Sequence, residues 1–200
     1  MLASATPQRL SLRMFDTAEH HCSTDELAAG LPEVLRAPAN EGTLVAIVVR
    51  PDRDLRELPD TGELTPAEGL YGDRWARHCT RRLPDGSPNP DTQLTLMNTR
   101  FLSQISRRRE CWPLAGDNLL VDLDLSQANL PAGQTLKIGE AIIEISAEPH
   151  TGCAKFSKRF GSEALQFVNS PEGRQLRLRG VNARVLQAGR IRVGDRIHKV

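Results

Sequence analysis

Cys153 stands in the segment Glu148-Pro-His-Thr-Gly-Cys-Ala-Lys-Phe156, with His150 three residues before it and Lys155 two after. A thiol becomes a nucleophile or a soft-metal ligand once its thiolate is favoured, and a neighbouring cation favours it. The Pro and Gly corners of the segment predict a surface loop, where groups that do chemistry are commonly carried. Most free cysteines are instead buried and inert, and the segment alone leaves both readings open. His150 and Cys153, at i and i+3, have the spacing to chelate one ion, but zinc needs further ligands and no second pair stands elsewhere in the chain. More attractive than zinc is a role for His150 as the base or cation that lowers the Cys153 pKa, with a simple loop histidine as the other reading. His20-His-Cys22 and His78-Cys79 hold the same residue types at adjacent positions and read as ordinary surface or core side chains. No Ser/His/Asp triad signature and no phosphate-binding Gly-rich loop is present.

The element that delivers Cys153 is Ala141-Ile-Ile-Glu-Ile-Ser-Ala147, which alternates with the period of a strand. Similar patterning predicts strands over Thr43–Arg50, Thr92–Met97, Asn118–Leu123, Thr135–Ile138, Val181–Leu186 and Ile191–Val200, divided by Gly and Pro turns. Ser23-Thr-Asp-Glu26 has the form of a capping box and opens a helix from Thr24 to about Leu35. Asn98 is placed to cap a helix over 99–109, and further helices are expected from Ser162 and from Pro171. Residues 51–69, rich in Pro, Gly and charge, read as a surface excursion rather than a core element. Trp75 and Trp112 are assigned to core or rim packing. Many short strands and few helices predict a mainly β protein, a barrel-like core with peripheral helices. Residues 1–41 form a lead-in with a short helix, and residues 42–200 the main domain.

Composition narrows the function classes. The chain has 200 residues, ample for one core without disulfide staples, and its four cysteines include no Cys-x-x-Cys. A net charge of +1 gives no general attraction to nucleic acid or membrane. The longest apolar run, Leu44–Val49, is strand-sized, and the first residues lack the charged and apolar regions of a signal peptide, so a cytoplasmic protein with reduced thiols is expected. The cations are uneven: 22 Arg against 4 Lys. Arginine suits bidentate capture of phosphate or carboxylate, although a biased composition with solvated side chains accounts for the excess equally well. Arg107-Arg-Arg109 is read as such a solvated face at a helix end.

Four further groupings accompany Cys153 in order along the chain. They are Gly69-Leu-Tyr-Gly-Asp-Arg74, Gly116-Asp-Asn118, a Leu-x-x-Gly-x-x-Leu-x-Ile-Gly turn from Leu130 to Gly139, and a terminal Gly-Val-x-Ala-Arg-Val-Leu-x-x-Gly-x-Ile-x-x-Gly-Asp stretch from Gly180 to Asp195. Taken together with Cys153 and Lys155, this set resembles the MOSC family, named from the C-terminal domain of molybdenum-cofactor sulfurases. The resemblance spans about residues 42–200 and implies a β-barrel-like domain. Three positions depart from the family pattern. Gly152 stands where Pro commonly precedes the cysteine, Asn182 replaces a common aromatic, and Asp117 a common Glu.

The resemblance implies chemistry centred on Cys153. In one branch of the family the matching cysteine ligates molybdenum of a pterin cofactor in enzymes that reduce N-hydroxylated compounds. In the other it is proposed to carry sulfur as a persulfide received from a pyridoxal-phosphate-dependent desulfurase. The expected cofactor is thus a molybdenum–pterin, with no pyridoxal phosphate on this chain. A metal-free persulfide carrier is the alternative, and a non-catalytic cofactor-binding or desulfurase-docking module is a third. Cys153 and His150 are the catalytic candidates, and Cys153 is the metal ligand. Arg74, Lys155 and Arg184 are candidates for the pterin phosphate, and Asp73 and Asn118 for side-chain hydrogen bonds to the pterin. Expected partners are the cofactor or a small-molecule substrate, with a desulfurase or an electron-transfer protein; nucleic acid and membrane are not expected.

Overall fold

The computed structural model describes residues 8–11 and 21–200. In chain order its strands are β1 (Gln8–Ser11), β2 (Glu41–Ile47), β3 (Leu55–Leu58), β4 (Thr61–Thr65), β5 (Gly69–Leu70), β6 (Leu94–Asn98), β7 (Leu119–Asp122), β8 (Thr135–Ile138), β9 (Ala141–Ile145), β10 (Val181–Gln187), β11 (Gly189–Arg192) and β12 (Arg196–Lys199). The helices are α1 (Thr24–Leu35), α2 (Trp75–His78), α3 (Thr99–Ile105), α4 (Ala154–Phe160), α5 (Ser162–Asn169) and α6 (Pro171–Gln175), with 3-10 turns over Pro90–Thr92 and Arg109–Ala115.

Seven strands close a barrel in the order β10-β6-β7-β2-β12-β8-β9. Every neighbouring pair is antiparallel except β6 and β7, which run parallel with Leu96 opposite Leu119. A parallel pair needs a crossover, and α3 with the following 3-10 turn supplies it. The expected mainly β barrel with helices outside it is what the chain forms. Its interior is filled by the inward side of the alternation: Leu44, Leu94, Leu96, Leu119, Ile143, Ala183 and Ile197 are all fully buried. A second apolar layer lies under the helices, where Leu27, Phe101, Leu102, Phe156, Phe160 and Val168 pack together.

Local chemistry explains the boundaries. Ser23 accepts from the Glu26 amide while the Glu26 carboxylate accepts from the Ser23 amide, so the capping box sets the start of α1 where expected. Asn98 Oδ1 accepts from the amides of Arg100 and Phe101, turning β6 directly into α3. The β8–β9 hairpin turns at Gly139, whose φ of 56° and approach to the Arg190 carbonyl leave no room for a Cβ.

Three expectations need correction. Residues 51–69 are not a surface excursion: β3 and β4 lie there and β5 begins there, and Leu64, with Leu70 just beyond, joins the barrel core. The C-terminal stretch is not one barrel element, since β11 leaves it to pair with β4 in a three-stranded sheet. The segment after Cys153 is helical at once, as α4, because Phe156 and Phe160 at i and i+4 bury one face against the helical layer. His20 lies outside the described residues, and among these no helix is long and apolar enough to cross a membrane.

Candidate active site

The site grows from the end of β2, the corner after β5, the 3-10 turn before β7, and the strand-to-helix segment that carries Cys153. At its base is a buried polar hub. Asp73, with no exposed side-chain surface, accepts from Arg50 Nε at 2.8 Å, Arg50 Nη2 at 3.0 Å, the Arg50 amide at 2.9 Å, the Trp75 amide at 2.9 Å and Asn118 Nδ2 at 3.0 Å. Burial alone raises its carboxyl, but Arg50 and these donors outweigh it and hold Asp73 below the ordinary aspartate range. Asn118 Oδ1 in turn accepts from Arg50 Nη2 at 2.9 Å and from the Thr95 amide at 3.2 Å, fastening the hub to β6.

The 3-10 turn ends in four successive carbonyls, and each accepts from a different arginine. Pro113 O takes Arg56 Nε at 3.2 Å, Leu114 O takes Arg159 Nη1 at 2.7 Å, Ala115 O takes Arg179 Nη2 at 3.1 Å, and Gly116 O takes Arg50 Nη1 at 2.8 Å. Helix-terminal carbonyls lack intrahelical donors and carry partial negative charge, so guanidinium forks both satisfy and oppose them. Two of the four also have buried carboxylate partners, Asp73 for Arg50 and Asp117 for Arg179. Among the described residues Arg56 has no carboxylate in direct contact; burial, with Arg50, Arg159 and Arg74 nearby, lowers it to about 10. It remains charged at neutral pH, and the collar is therefore electropositive.

Asp117 is wholly buried, 2.7 Å from Arg179 Nη1 and 3.5 Å from His150 Nδ1. Burial raises the Asp117 carboxyl against the pull of Arg179 and Arg50. Burial, then Arg179 and Arg50, drive His150 well below the ordinary histidine value. His150 is accordingly neutral at neutral pH, and the expectation that it serves as a cation for the Cys153 thiolate is corrected. Arg159, on the helix that Cys153 opens, is a partly buried cation held by the Leu114 carbonyl.

Cys153 itself is exposed at the start of α4, whereas Cys22 and Cys111 are buried and Cys79 is partly covered. Its position is set from behind. Asn169, at the end of α5, accepts from the Gly152 amide at 3.0 Å and donates to the Gly152 carbonyl at 3.3 Å. A Cβ at Gly152 would lie 2.7 Å from Leu165 and 2.9 Å from Val168, so α5 packs into the space a proline would need. The proline amide would also lack the hydrogen that Asn169 receives.

Beside this segment opens a cleft of about 390 Å³, lined by Arg50, Arg74, Trp75, His78, Cys79, Thr80, Arg81, Thr92, Thr95, Pro149, His150, Thr151, Lys155 and Asn182. Four permanent cations face it and, among the described residues, no carboxylate does. Arg50 and Arg81 are paired outside the lining, with Asp73 and Glu148, while Arg74 and Lys155 have no ion-pair partner among the described residues. Such a cleft suits an anion.

The expected residues thus separate. Arg74, Lys155 and His150 line the cleft; Asp73 and Asn118 support Arg50 from beneath; Cys153 is not among the lining residues, although Thr151 and Lys155, two positions to either side of it in sequence, are. Arg184 is elsewhere, held by Glu144 at 2.7 Å and Asp91 at 3.4 Å. Trp75 is buried, as packing predicts, yet also lines the cleft. Sequence reasoning missed Arg50, Arg56, Arg159 and Arg179. Their only shared signal is the arginine excess, which carries no positional information. Among the described residues, no three His, Cys, Asp or Glu converge on a metal-binding point.

The family model described as MOSC domain matches residues 86–198. The fold is similar to that of a crystal structure described as a hypothetical protein, at 23% identity and TM-score 0.57, covering 80% of this chain and 69% of that one. It is also similar to YUAD protein from Bacillus subtilis, at 15% identity and TM-score 0.54, covering 78% and 94%. YiiM from Geobacillus stearothermophilus aligns at 17% identity and TM-score 0.54, covering 80% and 75%. No curated protein sequence matches significantly.

Proposed function

The chain belongs to the MOSC domain family, and from that premise we propose that it is a molybdenum-cofactor-linked enzyme whose working atom is Cys153 Sγ. The observation that supports this most is the carboxylate-free cationic cleft beside the one exposed cysteine. The donor set suits the group. A thiolate is a soft ligand for molybdenum, and Arg74, Lys155, Arg50 and Arg81 suit the phosphate of the pterin. Cys153 would be the protein ligand to the metal, and these four cations would hold the phosphate.

When bound, the metal centre would supply the two-electron chemistry for reducing an N-hydroxylated substrate, or a point of sulfur exchange. The chain's own residues do the rest. Asn169 and the packing of α5 fix the Cys153 segment; Asp73 and Asn118 lock the Arg50 fork. His150, neutral and with Nδ1 toward Asp117, keeps the lone pair of Nε2 for a proton.

The metal-free persulfide carrier is the second reading, favoured by the exposure of Cys153 outside the cleft lining, where a partner desulfurase can reach it. Molybdenum and pterin content, measured with intact mass on protein from a cofactor-competent host, separates the two. Bound metal lost in Cys153→Ser supports the enzyme; one added sulfur without metal supports the carrier. Neither refutes both and leaves a non-catalytic module.

A further inference from the structure

A second cleft, of about 220 Å³, opens on the other side of the 149–151 segment. Both clefts are lined by Pro149, His150, Thr151 and Asn182, but the far side of this one belongs to Arg174, Arg177, Arg179 and Gln127. We propose that it binds the oxyanion of a small anionic ligand, a phosphate or a carboxylate, independently of what Cys153 holds.

Three observations converge on this. First, three guanidiniums line the cleft against one carboxylate among the described residues, Glu148, which is already paired with Arg81 at 2.5 Å. Second, Arg179 is 93% buried and its Nε has no hydrogen-bond partner; its Nη1 and Nη2 are taken by Asp117 and the Ala115 carbonyl. Its guanidinium is thereby pinned in the cleft wall, and it adds to the positive field that Arg174 and Arg177 present there. Third, Arg177 is partly buried without a carboxylate, its guanidinium bonded only to the Leu130 carbonyl at 2.5 Å, and burial lowers its pKa. Arg177 is also the non-glycine residue with positive φ among the described residues, at 48°. Strain of this kind persists where the surroundings enforce it and often marks a binding site. The volume is below the 300–1,000 Å³ typical of pockets that enclose a whole drug-sized ligand, so the cleft takes an anionic head group.

Inorganic phosphate and succinate are the probes, titrated separately into the full chain by calorimetry at low salt. Binding of phosphate assigns a phosphorylated ligand, and binding of succinate alone a carboxylate. The binding should weaken about tenfold in Arg177→Gln and in Arg174→Gln, each of which removes one charge-assisted contact. Arg174 is exposed and outside the core, so that variant stays informative if Arg177→Gln fails to fold. Arg196→Gln, at an exposed arginine that lines neither cleft, should leave the affinity unchanged. Binding of neither probe overturns the proposal. So does anion binding that survives loss of Arg174 and Arg177 but disappears with Arg74, which would place it beside Cys153.

Discussion

Replacing Asp73 with alanine tests the hub that holds Arg50 in the cleft. The carboxylate accepts five hydrogen bonds and has no exposed surface, and its partner Arg50 is itself only 18% exposed. Removing one partner of a buried pair leaves the other charge uncompensated, at a cost of about 3–5 kcal/mol. For a chain of this size that lowers Tm by roughly 6–20 °C. Arg50 retains the Gly116 carbonyl and Asn118 Oδ1, which places the cost toward the lower end. The effect must also depend on pH. The native Asp73 is depressed below its unfolded value of about 3.9, so its stabilisation is present above that pH and disappears as pH falls through the native value. Thermal melts of wild type and variant from pH 7 to pH 2 should therefore converge at the acid end. A loss below about 1 kcal/mol at pH 7, within the range of exposed pairs, or a gap that persists in acid, refutes the account of the hub.

His150 acts in a different window. Its native value is depressed by burial, so the unfolded chain takes up a proton below about pH 6.5 before the native protein does. Stability should fall by up to about 1.4 kcal/mol per pH unit there, and His150→Asn should flatten that slope in pH-dependent denaturant melts. Iodoacetamide at neutral pH should modify Cys153 faster than Cys22 or Cys111, which are buried, and burial also raises Cys22; peptide-resolved mass spectrometry reads the order. Gly139→Ala should lose at least about 1–2 kcal/mol, because φ is 56° and the Arg190 carbonyl lies 2.7 Å from the added Cβ; chemical denaturation measures it.

The barrel was legible because its signals are local. Alternation marked Thr135–Ile138 and Ala141–Ser146, and the side chains of Ser23 and Asn98 close their helix caps within three residues. The failures occurred where local and tertiary signals conflict. In residues 51–69 the Pro, Gly and charges are real turn signals, but they punctuate strands of four, five and two residues, too short for a periodicity to register. Leu64 and Leu70 are buried only because β4 folds back over the barrel to meet β11. The Cys153 segment was read as a loop because Pro149 and Gly152 precede it; the two phenylalanines that make α4 a helix come after.

The motifs led to the neighbourhood of the candidate site but not to the part each residue plays in it. Asp73 and Asn118 belong to recognisable groupings, yet neither faces the cleft: they exist to fix Arg50, which no motif marks. The arginine excess was equally ambiguous, since solvated side chains explain a composition as well as a binding site does. Arg107, paired with Glu26 in solvent, follows the first explanation. Arg56 and Arg179, at 4% and 7% exposure, follow neither alone: they are buried on the carbonyls of the 3-10 turn, and Arg179 also lines the second cleft. Lysine would not substitute at these positions. A compact ammonium can meet one carbonyl, but Arg179 must reach the Asp117 carboxylate and the Ala115 carbonyl at once, and Arg50 must reach Asp73, Asn118 and Gly116. The planar fork is what lets four cations crowd around one helix end while two carboxylates hold their share of the charge. The remainder of that charge has no carboxylate in direct contact among the described residues.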